Sequence, residues 1–233
     1  MSETKIALVT GASAGLGRAL TEALVVDGWD VIATARGSDR LDRLRQELGP
    51  AVQPVHGDVS DPEHRTRIAD VLKTRARLDL MVNNASELGP SPLPRLRRYP
   101  LDELARIFAT NVIAPLAILQ TALPYLRASN GVAINISSDA AVAAYEGWGG
   151  YGSSKAALDH VTAILAVENS DLRIYAFDPG DMRTQMHQAA FPGEDISDRP
   201  EPATVVPALL RLVAERPSSG RYTTAEWLAG AAR

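Results

Sequence analysis

Residues 5–28 read KIALVTGASAGLGRALTEALVVDG, and the fold turns on how this stretch divides. KIALVT is a short, almost unbroken apolar run, as expected of a strand buried on both faces. RALTEALVVDG spaces its apolar residues at helical intervals. Between them, Thr10-Gly11-Ala12-Ser13-Ala14-Gly15-Leu16-Gly17 makes a glycine-rich turn from strand to helix. Glycine permits the tight turn and lets a ligand approach the backbone. The free N–H groups and the dipole at the helix start favour an anion such as a pyrophosphate. Such a turn can also serve backbone angles alone, so its meaning depends on the elements around it.

The rest of the chain repeats the alternation. DVIATA reads as a second strand before the helix SDRLDRLRQELG, and AVQPV as a third before DPEHRTRIADVLKTR. LDLMVNNA is a fourth strand. LDELARIFATN, merging into VIAPLAILQTALPYLRAS, reads as two helices. GVAINISS is a fifth strand, YGSSKAALDHVTAILAVE a long helix, LRIYAFDPG a sixth strand and ATVVPALLRLVAE a last helix. GRYTT is a candidate edge strand. Alternating strands and helices with right-handed crossovers predict an α/β fold: one doubly wound parallel sheet of about seven strands with helices on both faces. No repeat or low-complexity tract interrupts the pattern, so residues 1–233 are expected to form a single domain. The proline-rich stretches ELGPSPLPRLRRYP and FPGEDISDRPEP read as loops.

Composition narrows the chemistry. The 233 residues carry a net charge of −4, which gives no electrostatic reason to expect nucleic acid or an anionic membrane as a partner. There is no cysteine, which excludes thiolate catalysis, disulfides and cysteine-ligated metals. The four histidines, His56, His64, His160 and His187, show no metal-ligand spacing. The N-terminal MSETKIALVTG lacks the basic start and long apolar core of a leader. No stretch is expected to reach membrane-spanning length. The expectation is a cytoplasmic enzyme.

If the turn holds a dinucleotide, the end of the second strand selects it. An acid there hydrogen-bonds the adenosine ribose; this chain has Ala35, followed by Arg36. The Arg36 fork suits a 2′-phosphate, so NADP(H) is favoured over NAD(H). Asp39 is the rival acid, but it falls where a helix cap is ordinary.

The second decisive stretch is YGSSK, Tyr151 to Lys155. Positions four apart share a helix face, so the phenol and the ammonium can enter one cleft. A free tyrosine, with a pKa of about 10, exchanges its proton poorly near neutrality. A neighbouring ammonium favours the phenolate, and a cationic nicotinamide would add to it. Reaching about 7 requires roughly 4 kcal/mol of differential stabilisation. Ser137 and Ser138 end the fifth strand, at the carboxyl edge where open α/β sheets bind ligands. The Ser138 hydroxyl can hold a carbonyl oxygen as charge develops on it. Asn111 lies in an apolar helix four residues before Pro115, so its carbonyl loses its usual helical donor and a water there could lead to Lys155.

Together these residues resemble the short-chain dehydrogenase/reductase family, in its compact single-domain branch with a Rossmann-type fold. The likeness runs from Lys5 to about Thr184 and more loosely beyond. Its motifs are TGASAGLG, DV at Asp58-Val59, NNA at Asn83 to Ala85, Asn111, ISS with Ser138, YGSSK, and PGDMRT at Pro179 to Thr184. The resemblance implies Tyr151 as acid/base, Lys155 as its partner and a ribose ligand, Ser138 as carbonyl orienter and Asn111 as relay member. It implies cofactor contacts at Gly11, Ser13, Ala14, Gly15, Leu16 and Gly17, at Arg36, and at Asp58 and Val59 beside the adenine. Asn84 and Ala85 would form the cofactor floor, with Pro179, Gly180, Met182 and Thr184 near the nicotinamide, whose pro-S hydride would transfer. Ser86 stands where the family has glycine after NNA; if that backbone needs positive φ, serine is strained there. GWGGY and DPGDMRTQM are also similar to the sepiapterin-reductase-like subgroup.

Leu88 to Tyr99, Ala140 to Gly150 and Met182 to Phe191 are the expected pocket walls. Tyr145, Trp148, Met182, Met186 and Phe191 would suit a small apolar or flat carbonyl or alcohol. The helices after Asn111 and Tyr151 are apolar far around their circumference, and the family pairs subunits through them, so a homodimer or homotetramer is expected. Two alternatives stay open: reduction of C=C or C=N on the same scaffold, and a sensor that binds NADP(H) without chemistry.

Overall fold

The computed structural model describes residues 4–229; both ends of the expected 1–233 domain lie outside that range. Seven strands form one sheet, each paired in parallel with its neighbours. They are β1 (Ile6–Thr10), β2 (Asp30–Ala35), β3 (Val52–His56), β4 (Leu80–Asn83), β5 (Val132–Ile136), β6 (Arg173–Asp178) and β7 (Gly220–Thr223). The order is β3-β2-β1-β4-β5-β6-β7. The chain builds outward from β1 to β3, then crosses back to β4 on the other side of β1. That reversal opens a crevice at the carboxyl ends of β1 and β4.

The nine helices of the described residues are α1 (Gly15–Val26), α2 (Ser38–Leu48), α3 (Pro62–Arg75), α4 (Leu101–Phe108), α5 (Ala114–Ser129), α6 (Gly149–Glu168), α7 (Gln185–Ala190), α8 (Val206–Glu215) and α9 (Thr224–Ala229). The apolar runs have a direct cause. In β1, Ala7 and Val9 point into a core with Leu20 and Leu24 of α1, Leu41 of α2 and Leu209 of α8. Ile6 and Leu8 point to the opposite core, with Leu72 of α3, Ile118 of α5 and Leu165 of α6. Alternate side chains feed two hydrophobic layers, so no position in the strand can be polar without cost.

Buried polar groups tie the centre together. Asn83 Nδ2 donates to Asn135 Oδ1 (2.8 Å) and to the Pro115 carbonyl (3.2 Å), while Asn135 Nδ2 donates to Thr162 Oγ1 (2.8 Å). This ladder fixes β4, β5, α5 and α6 relative to one another.

Three features depart from the sequence reading. Leu101–Ser129 runs as one 29-residue helix, long and apolar enough by length and composition to cross a membrane, where no such stretch was expected. Half of its apolar window is buried inside the fold, which accounts for its composition. Between α4 and α5 it loosens into a π turn at Ala109–Ile113, where the Ala114 N–H reaches back to the Ala109 carbonyl, just ahead of Pro115. Finally, α7 and α9 are each a six-residue helix, too short to show a period.

Candidate active site

The glycine-rich turn ends β1 as expected, and sterics explain its glycines. Gly11 has φ of +66°, and a Cβ there would lie 2.8 Å from Asn84 Nδ2. A Cβ on Gly17 would sit 2.4 Å from the Gly11 carbonyl oxygen. Both positions keep α1 and β4 close to the turn. Thr10 Oγ1 accepts from the N–H groups of Asn84 and Ala85 at 2.9 Å each. The Asn84 amide donates to the carbonyls of Thr10 (2.9 Å) and Gly11 (3.3 Å). Ala14 caps α1 with no side-chain hydrogen bond, and the first turn carries no acid. The early N–H groups of α1 are therefore left for an anion.

A cleft of about 800 Å³ opens above this turn. Its walls include Gly11, Ser13, Ala14, Gly15 and Leu16 from the turn, with Arg36, Asp58 and Val59 at one end. Asn84 and Ala85 line it as well, as do Pro179, Gly180, Met182 and Thr184. Ser138, Tyr151 and Lys155 complete it. Gly17 and Asn111 are not on its surface: Gly17 packs beneath the turn, and Asn111 is buried behind α6.

Several side chains have structural duties besides. Asp58 Oδ1 accepts from the Ser60 N–H (2.8 Å) and hydroxyl (2.7 Å), and those bonds hold its carboxyl below the ordinary range although burial opposes them. Its Oδ2 lies 3.8 Å from Arg36, whose guanidinium is 64% exposed and faces the cleft. Thr184 Oγ1 accepts from the His187 N–H (3.1 Å) as the cap of α7. Asp39 is in the first turn of α2 and does not line the cleft.

Tyr151 and Lys155 occupy the first turns of α6, with Lys155 Nζ 5.5 Å from the phenol ring centre. Both are buried, Lys155 to 2% exposure. The Lys155 ammonium donates to the Ile136 carbonyl at 2.7 Å, at the end of β5. Burial pushes it down to about 8, against the pull of Asp159 and Asp178. Burial pushes Tyr151 up to about 12; hydrogen bonding from Ser138 and Ser86 acts the other way, and the Asp178 and Asp139 carboxylates add to the rise. Within the protein alone, then, burial sets the direction and holds the phenol above its ordinary value.

Ser138 Oγ donates to Asp139 Oδ1 (2.9 Å) and accepts from the Ala140 N–H (3.2 Å). The Asn111 side chain spans two segments. Nδ2 donates to the Glu87 carbonyl and to Ser154 Oγ, each at 2.9 Å, and Ser154 Oγ donates to the Tyr151 carbonyl (2.6 Å). Asn111 Oδ1 accepts from the Glu87 N–H (2.8 Å) and the Ser86 hydroxyl (3.2 Å). It thus braces α6 between Tyr151 and Lys155. Ser86 is absent from the positive-φ residues, so the strain expected there does not arise.

Beside Tyr151 lies an apolar cluster of Leu88, Ala140 and Ala190 with Trp148, Met186 and Phe191 against it. The Trp148 ring is 5.8 Å from that of Tyr151 and 5.9 Å from that of Phe191. Tyr145 stands further out, its hydroxyl on Asp139 Oδ2 (2.9 Å). Sequence reasoning missed Arg18 and Arg40, and Asp139 and Asp178 near Tyr151, all on the cleft wall. Asp178 had a signal, being the last residue of a strand at the carboxyl edge. The arginines lie on helices among many surface charges and had none.

The residues present fit a dinucleotide: the glycine cradle, the uncapped helix start and the cation at the second strand all face one cleft. Comparison with known proteins agrees in kind. A family model described as short chain dehydrogenase matches residues 5–195. A serine 3-dehydrogenase of Rhizobium radiobacter is 35% identical over 182 residues, covering 76% of this chain and 72% of that protein. An alcohol dehydrogenase from the archaeon Thermococcus sibiricus, solved with 5-hydroxy-NADP, superposes with a TM-score of 0.84 at 29% identity, covering 95% of this chain and 96% of that one. A short chain dehydrogenase from Escherichia coli CFT073, solved with NADPH, gives 0.87 at 28% identity, covering 94% and 96%.

Proposed function

Because the chain belongs to the short-chain dehydrogenase family of oxidoreductases, we propose that it interconverts a carbonyl and an alcohol with NADP(H) as its cofactor. One observation carries the reading. Tyr151, Lys155 and Ser138 stand on the wall of the same cleft whose other end is formed by the glycine turn and Arg36. The NADP-bound and NADPH-bound neighbours support the choice of cofactor.

The glycine turn and the start of α1 would hold the pyrophosphate, and Arg36 the 2′-phosphate. NADP(H), when bound, supplies or accepts the hydride, and its oxidised form adds a positive charge beside the phenol. Ser138 Oγ, turning its proton from Asp139 to the substrate oxygen, stabilises charge developing there. Tyr151 Oη gives that oxygen a proton in reduction and takes it back in oxidation. Lys155 favours the phenolate through its charge and would hold the ribose. Asn111 holds α6 so that both groups face the cleft, and its backbone carbonyl is the proposed relay member. The apolar cluster around Trp148, Met186 and Phe191 excludes water and suits a small apolar or flat substrate. Exposed Ile164 and Val167 on α6, with Leu101 and Ile113 on the long helix, favour a homo-oligomer.

A panel of aldehydes and ketones, assayed in parallel with NADPH and NADH, tests the reading. Turnover with NADPH preferred is expected. In Arg36→Asp, NADPH affinity falls more than NADH affinity. Equal losses would remove Arg36 from the 2′-phosphate site, and tight NADPH binding with no oxidation across the panel would favour a sensor.

A further inference from the structure

Arg221 lies on β7, at the edge of the sheet, yet its guanidinium grips three other elements. Nε donates to Asp159 Oδ2 of α6 at 3.0 Å. One terminal nitrogen donates to Asp178 Oδ2 at the end of β6 (2.8 Å) and to the Ser138 backbone carbonyl (3.0 Å). The Arg221 side chain is about three-quarters buried, and both carboxylates more so. Among the described residues no donor meets the buried Asp159 Oδ1, and the hydrogen bond that the carboxylate accepts comes to Oδ2 from Arg221.

Each anchor is one step from the proposed chemistry. Asp159 follows Lys155 by one helical turn. Asp178 Oδ1 accepts the Gly180 N–H at 3.0 Å, shaping the turn that lines the cleft at Pro179 and Gly180. Ser138 carries the hydroxyl read as the carbonyl holder. The charged and titratable groups facing Lys155 are Tyr151 and Asp159 from α6 and Asp178 from β6. The β5 end offers the Ile136 carbonyl, and Asp139 beyond it acts on Tyr151. The π turn contributes the uncharged Asn111. Arg221 is the cation bonded to both carboxylates that act on Lys155.

We propose that Arg221 is a positioning residue of the active site: it locks the Ser138 edge, the Lys155 helix and the Asp178–Gly180 turn into one arrangement, and it offsets the carboxylate charge felt by Lys155. The inference rests on the role given to Lys155 under the proposed function. Its geometry accounts for an arginine on an edge strand whose neighbour Tyr222 turns the other way, packing against Tyr175 and Trp227 and donating its hydroxyl to the Ser218 carbonyl (2.7 Å). A lysine could supply the charge but not the three-way fork.

The test reads Lys155 directly and needs no turnover, so it stands apart from whether the carbonyl panel succeeds. The chain has three lysines, Lys5, Lys73 and Lys155, so [13Cε]lysine labelling gives three NMR signals, and Lys155→Arg identifies the third. Wild-type Lys155 is expected to titrate at about 8. In Arg221→Gln its midpoint rises by about one pH unit, because two carboxylates lose their counter-charge; in Arg221→Lys it returns toward the wild-type value. An Arg221→Gln midpoint equal to wild type would overturn the proposal. Should that variant not fold, Asp159→Asn is compared with Asp159→Asn/Arg221→Gln. Asp159→Asn lowers the midpoint, and the second substitution raises it again. Identical midpoints in that pair would equally overturn it.

Discussion

At the scale of the residue, burial drives Tyr151 and Lys155 in opposite directions. The phenol is held at about 12 and the ammonium at about 8, and the fold bears the cost of keeping both out of water. That cost has a sign. Below about 8 Lys155 is protonated in both folded and unfolded chains, and folding carries the full penalty of a buried cation. Between about 8 and 10.5 the unfolded chain keeps its proton while the folded one releases it, so stability rises with pH by on the order of 3 kcal/mol. Above 10 the unfolded Tyr151 ionises first, and stability falls again towards 12. Urea unfolding midpoints should climb from pH 7 to pH 10, and Lys155→Met should be more stable at pH 7 and flatter across that range. A climb of equal steepness in both proteins would assign it to other groups. The sequence made the Tyr–Lys spacing and the Ser138 edge legible because the two periods, helical and strand-end, are local. It could not show that the Asn111 side chain braces Ser154, since those partners are 43 positions apart. The duties of Asp58 and Thr184 as turn and cap are local, since Ser60 and His187 lie only two and three positions away.

Among the elements, the β1–turn–α1 unit is the most exacting. Gly17 sits where its missing side chain lets α1 start against the Gly11 carbonyl. Gly17→Ala should cost about 1–3 kcal/mol in thermal unfolding and weaken NADPH binding in calorimetry, because helix and turn must separate. A fully stable variant with unchanged affinity would mean that the close approach is dispensable. Strands and long helices were readable because each keeps one period over its length. The six-residue α7 and α9 were not. The continuity of Leu101–Ser129 was partly hidden as well: the π turn shifts the helical period just where Asn111 interrupts the apolar pattern. That irregularity is also what places the Asn111 side chain against Glu87 and Ser154.

The whole molecule is shaped by where the strand order reverses. Building out to β3 and returning to β4 leaves the carboxyl ends of β1 and β4 without a crossing helix, and the cleft forms there. The sheet and its topology class were legible, since doubly buried strands leave continuous apolar runs. The loops that form the cleft's second wall were legible too, and Leu88, Ala140, Trp148, Met186 and Phe191 from them cluster beside Tyr151; how they pack on one another was not, because they meet only through tertiary contacts. Outside, Val167 on α6 is 81% exposed and Ile164 44%, an apolar face left uncovered by the described residues. Sedimentation should give a mass that is a multiple of 24.9 kDa, and Val167→Glu should lower it. A wild-type mass of one chain would refute the homo-oligomer. The measurement that bears most directly on the whole account is made on one variant, Tyr151→Phe. NADPH binding by calorimetry and NADPH oxidation with the best carbonyl of the panel, followed by absorbance, are compared with wild type. The account predicts affinity near wild type with turnover lower by about 10²–10⁴-fold. Turnover that survives the loss of the hydroxyl would contradict it.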